Sequence, residues 1–312
     1  MRLTSRHLLG LEGMDKEELT LILDTAKSFR EILDRPIKKV PPLQGKTVVN
    51  LFFESSTRTR ISFELAERRL SADVVSFAAS GSSVSKGETL KDTARNIEAM
   101  KIDMVVIRHA SAGAPHFLSR VVDANVINAG DGAHEHPTQG LLDMFTLRAK
   151  HGTLEGLKVC IVGDVLHSRV ARSNIFGLQT MGAEVSVCGP ATLMPREVER
   201  LGVKVFHRLE DVIPDVDALN VLRIQLERQK VGFFPSLREF HRYFGVTREK
   251  LEKASRPITI MHPGPINRDI ELSADVADSE HSVILEQVTN GVAIRMAVLY
   301  LLGASGEGVV QP

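Results

Sequence analysis

The sequence predicts an α/β chain built as two doubly wound parallel-sheet domains, with the active site in the cleft between them. Three observations predict this. Short, nearly continuous apolar runs recur along the chain, each followed by helical spacing, which is the pattern of parallel strands covered on both faces. At 312 residues the chain exceeds what one core usually serves. Every strongly polar constellation falls directly after an apolar run, at a strand's carboxyl end, where such sheets hold ligands.

The elements follow in order. Asp15-Lys16-Glu17-Glu18 reads as a capping box, and Leu19, Ile22, Leu23, Ala26, Phe29 and Leu33 continue at helical spacing. Pro36, Pro41 and Pro42 end that helix and delay the first strand, 47–53. A helix over 58–70, a strand over 73–77, a polar loop and a helix over 89–100 come next. Strand 103–108, a helix over 115–122 and strand 125–128 complete the first half. A helix over 137–150 crosses the domain boundary, and further strands are read at 158–162, 184–187, 204–207, 218–221 and 258–261. The polar stretch 227–254, dotted with aromatics, reads as a mobile loop carrying short helices, a candidate lid. Residues 283–302 are apolar all round and read as a buried helix returning to the first domain. The expected domains are 1–140 with 286–312, and 141–285.

Composition narrows the function. An apolar share of 43% and a charged share of 25% are those of an ordinary globular enzyme. Lys+Arg and Asp+Glu balance at 39 each, so no global field draws the chain to nucleic acid or membrane, and anion binding must be local. Cys160 and Cys188 sit in apolar runs and read as reduced core residues. The N-terminal residues lack the apolar core of a signal peptide, and no apolar run is long enough to span a bilayer; the expected setting is the cytoplasm.

The candidate chemistry lies in the strand-end segments. Phe53-Glu54-Ser55-Ser56-Thr57-Arg58-Thr59 runs into a helix start. Backbone N–H groups, hydroxyls and a guanidinium gathered there suit a phosphate, while a capped helix with solvated arginines is the plainer alternative. The loop holding Ser82 and Lys86 can bring an ammonium to an anion, or is a solvated connector. Arg108 closes a strand and needs a partner, a ligand or a salt bridge. His134, Glu135 and His136 match no helical metal-ligand spacing, with Cys and other His distant, so no metal is expected. Pro137 suits a first helical position, which sets His136 beside a helix start and Gln139 one turn on. A neutral imidazole there donates well to a carbonyl oxygen. The turn at Gly163 has one glycine where a nicotinamide fingerprint needs three, and no acid ends the next strand, so that reading fails. Arg169 stands near a helix start, Arg223 and Gln225 share a face by alternation, and His262-Pro263-Gly264-Pro265 is a stiff turn offering carbonyls.

Together these segments resemble the aspartate/ornithine carbamoyltransferase family over essentially the whole chain. Ser56-Thr57-Arg58-Thr59-Arg60 is similar to its carbamoyl-phosphate signature, and His136-Pro137-Thr138-Gln139 with Leu141-Leu142-Asp143 to its second signature. Lys86-Gly87-Glu88-Thr89, Arg108, Arg169, Arg223 with Gln225, and the His262 turn follow in the family's order. The resemblance implies transfer of the carbamoyl group of carbamoyl phosphate to an amine, with no metal and no organic cofactor. The His-Cys-Leu-Pro turn and Ser-Met-Gly segment of ornithine enzymes are missing, and two arginines would repel ornithine, so L-aspartate is the expected acceptor. Ornithine or another amine is the alternative. By resemblance Ser56, Thr57, Arg58, Thr59 and Arg108 hold the phosphate, with Ser82 and Lys86 lent by a neighbouring subunit of a homotrimer. Thr59, Arg108 and His136 polarise the carbonyl; Gln139 and the carbonyls of Gly264 and Pro265 hold the carbamoyl NH2. Arg169, Arg223 and Gln225 take the aspartate carboxylates, and Lys86 touches both substrates. Gly264 stands where some members carry Leu, so a looser turn is expected. Glu54 is expected to pair with Arg169 or Arg228 on closure, and Arg60 to brace the helix. Such trimers stand alone or join regulatory chains or a dihydroorotase, and the residues distinguish none of these.

Overall fold

The computed structural model describes residues 3–78, 88–225 and 236–303. The chain divides into two compact units, Met1–Leu142 with Thr289–Pro312, and Asp143–Val288. The first holds α1 (Lys16–Leu33), β1 (Thr47–Phe52), α2 (Thr57–Arg69), β2 (Asp73–Ala78), α3 (Leu90–Glu98), β3 (Met104–His109), α4 (Ala114–Leu118) and β4 (Asn125–Asp131). Helix α5 (Pro137–His151) contains the first dividing point. The second unit continues with β5 (Lys158–Val162), α6 (Arg169–Thr180), β6 (Glu184–Cys188), β7 (Lys204–Phe206) and β8 (Ala218–Val221). Helices α7 (Leu237–Phe244) and α8 (Arg248–Leu251), strand β9 (Thr259–Met261) and helix α9 (Ala274–Ala277) follow, and α10 (Ile284–Gly303) contains the second dividing point.

Both sheets are wholly parallel. Unit 1 has the order β2-β1-β3-β4, with Val48 opposite Val74 on one side and Met104 on the other. Unit 2 has the order β7-β6-β5-β8-β9, with Val159 opposite Val185 and Ala218. In each, the first strand in sequence is flanked on both sides by later ones, so the winding reverses beside it. That reversal opens a crevice at the carboxyl ends of β1/β3 and of β5/β8, the usual ligand position in such sheets.

The strands read as apolar runs because both faces are covered. Val49, Leu51, Val105, Ile107 and Val126 form the unit 1 core with Leu118 of α4. Cys160, Val162, Leu219, Val221 and Ile260 centre that of unit 2. Cys160 and Cys188 are free and buried, and burial pushes the Cys160 thiol up to about 12, so it stays protonated. Asn50 interrupts the apolar run of β1: fully buried, it donates through Nδ2 to Glu67 Oε2 of α2 at 2.8 Å. Burial pushes the Glu67 carboxyl up to about 8, so this pair is an amide and a neutral acid at ordinary pH.

Three expectations are revised. Asp15 does accept from Glu18 N at 2.8 Å, but the Glu18 carboxylate takes the backbone N–H of Thr4, so half of the expected capping box serves a tertiary contact. Helix α10 is buried from Val292 to Leu299 and again at Leu302, whereas Leu285 and Val288 in its first turns are exposed. Of the candidate lid, 236–254 is anchored rather than loose: Phe240 and Val246 are buried, and Lys250 Nζ donates to the carbonyls of Arg242 and Gly245 at 2.9 Å. Its remaining part, 227–235, lies outside the described residues. No helix among the described residues is long and apolar enough to cross a membrane.

Candidate active site

The unit 1 crevice receives the first polar segment. Phe53 N donates to Arg108 O at 2.9 Å, which sets the ends of β1 and β3 side by side. Ser56 then leaves the strand in extended conformation (φ −159°, ψ 95°) as the residue capping α2. An ordinary cap would accept an N–H of the first turn. Ser56 does not; its hydroxyl donates to Thr59 Oγ1 at 3.0 Å. The ordinary side-chain cap is therefore not made here. Thr59 is buried, while Thr57 and Arg58 are exposed at the helix start. Arg60 lies 3.9 Å from Glu64 along α2, the bracing position expected of it.

Arg108 faces the same crevice with its side chain mostly buried. Its guanidinium donates through NH1 to Ala129 O at 3.1 Å, and NH2 lies 3.6 Å from Glu54 Oε1. Glu54 thus orients Arg108 within its own unit, a role the sequence reading missed. Its signal was present: an acid and an arginine closing neighbouring strands.

His136 is presented by the turn after β4, which is heavily tied. Asp131 accepts Gly113 N at 2.7 Å and Glu135 N at 3.2 Å, and Asn128 Nδ2 at 2.8 Å. Glu135 accepts Leu11 N at 2.8 Å and Glu12 N at 3.1 Å. Gly132 has φ +49°, and a Cβ there would stand 2.7 Å from Ala112 N, so only glycine lets the turn pass. Pro137 opens α5, and His136 O accepts Gln139 N and Gly140 N at 2.9 and 3.2 Å. His136 and Gln139 are both buried, on the same side of one helix start. Ser82 and Lys86, placed at this site by resemblance, lie outside the described residues, as does Arg228.

In unit 2 the remaining residues follow the ends of β5, β8 and β9. Asp164, buried after β5, accepts His167 N at 3.2 Å and pairs with His167 Nδ1 at 2.8 Å. Ser168 caps α6 by accepting Ala171 N at 3.2 Å, and Arg169, the first helical residue, is 4% exposed. After β8 burial alternates: Ile224 is buried against Leu193 and Phe240, so Arg223 and Gln225 point the other way, half-exposed. The His262 turn is fixed by a buried network. His262 N donates to Gln287 Oε1 at 3.0 Å, and Gln287 Nε2 donates to Asp143 Oδ1 at 2.8 Å. Asn174 and Asn220 donate to Asp143 Oδ2 at 2.8 and 3.2 Å. His262 Nε2 lies 3.2 Å from Glu271 Oε1, and His262 Nδ1 accepts Gly264 N at 2.8 Å. Gly264 has φ +68°, a conformation that suits glycine. These bonds fix the start of the turn at His262.

Comparison with known proteins is consistent along the chain. Residues 6–149 match the carbamoyl-phosphate-binding domain of aspartate/ornithine carbamoyltransferases, and 155–302 the Asp/Orn-binding domain. The chain is 66% identical over 297 residues to the aspartate carbamoyltransferase catalytic subunit of Gemmatimonas aurantiaca, covering 95% of this chain and 93% of that one. It is 59% identical to that of Cytophaga hutchinsonii, covering 97% and 99%. Among solved structures, aspartate transcarbamoylase from Trypanosoma cruzi, in complex with carbamoyl aspartate and phosphate, is similar with TM-score 0.84 and 30% identity, over 94% and 95% of the two chains. Ornithine carbamoyltransferase from Pyrococcus furiosus is similar with TM-score 0.87 and 30% identity, over 98% and 100%.

Proposed function

The chain belongs to the aspartate/ornithine carbamoyltransferase family, and from that premise we propose how its residues divide the reaction. It transfers the carbamoyl group of carbamoyl phosphate to the amino group of L-aspartate, giving N-carbamoyl-L-aspartate and phosphate, an early step of pyrimidine synthesis. The observation that carries the acceptor is the 66% identity to an aspartate carbamoyltransferase catalytic subunit over 95% of the chain.

Donor binding falls to residues 1–140 with 286–312, and acceptor binding to 141–285. Ser56, Thr57, Arg58, Thr59 and Arg108 hold the phosphate; the Ser56–Thr59 hydroxyl pair and the Glu54-oriented guanidinium of Arg108 support this. Thr59, Arg108 and His136 donate to the carbonyl oxygen as it gains negative charge in the tetrahedral intermediate. Gln139, with the carbonyls of Gly264 and Pro265, takes the carbamoyl NH2. Arg169, Arg223 and Gln225 hold the aspartate carboxylates, and Lys86 reaches both substrates. The amine attacks the carbonyl carbon, the C–O bond to phosphate breaks, and the departing phosphate accepts the amine proton. Carbamoyl phosphate is already activated, so the step needs positioning and charge stabilisation rather than a metal, a cofactor or a covalent enzyme intermediate.

The assembly is a homotrimer with shared sites. Ile61 and Leu65 of α2 and Val75 of the edge strand β2 are exposed apolar side chains, a face that suits burial between copies. Ser82 and Lys86 follow that edge strand in sequence. The setting is cytoplasmic, which the two free, buried cysteines support. Incubation with carbamoyl phosphate and either aspartate or ornithine, following phosphate release, tests the activity; release with ornithine alone would overturn the acceptor. Mixing inactive His136→Ala and Lys86→Ala subunits tests sharing: activity should return, and its failure to do so would end that reading.

A further inference from the structure

The turn that presents His136 carries donor atoms with no assigned part in the transfer. His116 of α4, Asp131 at the end of β4 and His134 each offer one ligand atom, all within 4.8 Å of one another. In sequence His116 is remote from His134; the folding of α4 between β3 and β4 makes them neighbours, with rings edge to face at 5.6 Å. His134 Nδ1 lies 3.2 Å from Asp131 Oδ2. A tetrahedral ion with bonds of about 2.0–2.1 Å has a ligand-to-ligand edge of about 3.3 Å, so this pair already stands at chelating separation. The His116 ligand atom lies within 4.8 Å of both, on the third corner of the group.

Asp131 is also supported as metal-bound carboxylates are. Asn128 Nδ2 and Glu135 N donate to Oδ1, and Gly113 N donates to Oδ2, fixing the carboxylate's orientation. The carboxylate is fully buried, while the two imidazoles are half-buried and give an ion access from solvent. A second grouping of Glu12, His134 and Glu135 shares His134 but depends on the exposed Glu12.

We propose that His116, Asp131 and His134 form a binding site for a divalent transition cation of the zinc type, separate from the transfer chemistry. Two imidazoles and a carboxylate suit Zn2+ and ions of similar preference, with water in the fourth position. A bound ion ties α4 to the turn that ends at His136. The full-length chain, stripped with chelator, is titrated with Zn2+ by calorimetry and with Co2+ by visible absorption. One ion per chain is expected, with Co2+ bands of tetrahedral intensity and a higher Tm in Zn2+. His116→Gln and His134→Gln should each weaken Zn2+ binding by more than the about 10–100-fold that losing an outer-shell partner costs. Their metal-free melting reports whether they fold, and the parent's Co2+ spectrum tests the site without any substitution. An absence of saturable binding by the parent, or stoichiometric binding that survives in the double variant, overturns the proposal.

Discussion

The two sheets share one winding reversal, yet they treat a buried carboxyl in opposite ways. In unit 1 Glu67 meets the amide of Asn50, and its Oε1 finds no hydrogen-bond partner among the described residues. Burial then keeps it protonated up to about 8. In unit 2 Asp143 collects the amides of Asn174, Asn220 and Gln287 from α6, β8 and α10. The difference shows two uses of a buried acid: one is a nearly apolar filler between a helix and a strand, the other a node joining three elements behind a turn. The site loops follow suit. Unit 1 ties its His136 turn chiefly with backbone N–H groups given to the carboxylates of Asp131 and Glu135, whereas in unit 2 the side-chain amide of Gln287 links the His262 turn to Asp143.

The largest expected effect tests whether the units divide the labour. His136→Ala should lower kcat by about 10²–10³, the usual loss of one oxyanion donor, with the aspartate KM little changed. Arg169→Ala should instead raise the aspartate KM by roughly 10²-fold, from the about 1.5–3 kcal/mol of a charged hydrogen bond, while carbamoyl-phosphate binding persists. Steady-state kinetics on both substrates decides; if the two variants shifted the same parameter, the division between donor and acceptor units would fall.

A smaller effect sharpens the contrast between filler and node. Asp143→Ala leaves the Asn220 and Gln287 amides short of an acceptor, while Asn174 keeps Val170 O, and should cost about 2–6 kcal/mol at about 1–3 kcal/mol for each stranded group. Hydrogen exchange should rise in α6, β8 and the first turns of α10 while β1–β4 keep their protection. Equal loss in both sheets would show that Asp143 is no local node.

The smallest is a pH slope. Unfolded Glu67 loses its proton near 4.5 and folded Glu67 near 8, so between those values the folded chain binds the extra proton. Its contribution is complete below about 4.5 and is lost as pH rises, at about 1.4 kcal/mol per pH unit until the folded value is reached. Glu67→Gln keeps the Asn50 bond and removes the titration, so denaturant midpoints of the variant should vary less between pH 6 and 7 than those of the parent. An unchanged slope would place the proton elsewhere.

These contrasts also explain what could be read in advance. Strand positions and the Ser56–Thr59, His136–Gln139 and Arg223–Gln225 segments were legible because they are short and local: an apolar run, then polar residues whose spacing sets a face. Glu54 at Arg108, and Asp143 beneath His262, were not. Their partners are distant in the chain, with Gln287 lying 144 residues from Asp143, and no periodicity carries such a pairing. The capping box misled for the same reason, since Thr4 competes for Glu18 from outside the helix. Other histidines were read as distant from His134 in sequence, yet the α4 crossover sets the His116 ring 5.6 Å from it.

The unequal division of the chain has a consequence for synthesis on the ribosome. Unit 2 is one uninterrupted segment, Asp143–Val288, while unit 1 needs its last piece from Thr289 onward. Asn125 Nδ2 waits for Leu302 O, and Ser62 Oγ for Arg295 NH1. A nascent chain therefore has every strand of the first sheet long before the helix that closes it, and the second-made unit can finish folding first. Chains truncated at residue 290 and stalled through an unstructured linker long enough to clear the ribosome's exit channel should show protease resistance in 143–288 ahead of 3–142. Resistance appearing first in the earlier segment would mean that the open sheet stands without its closing helix.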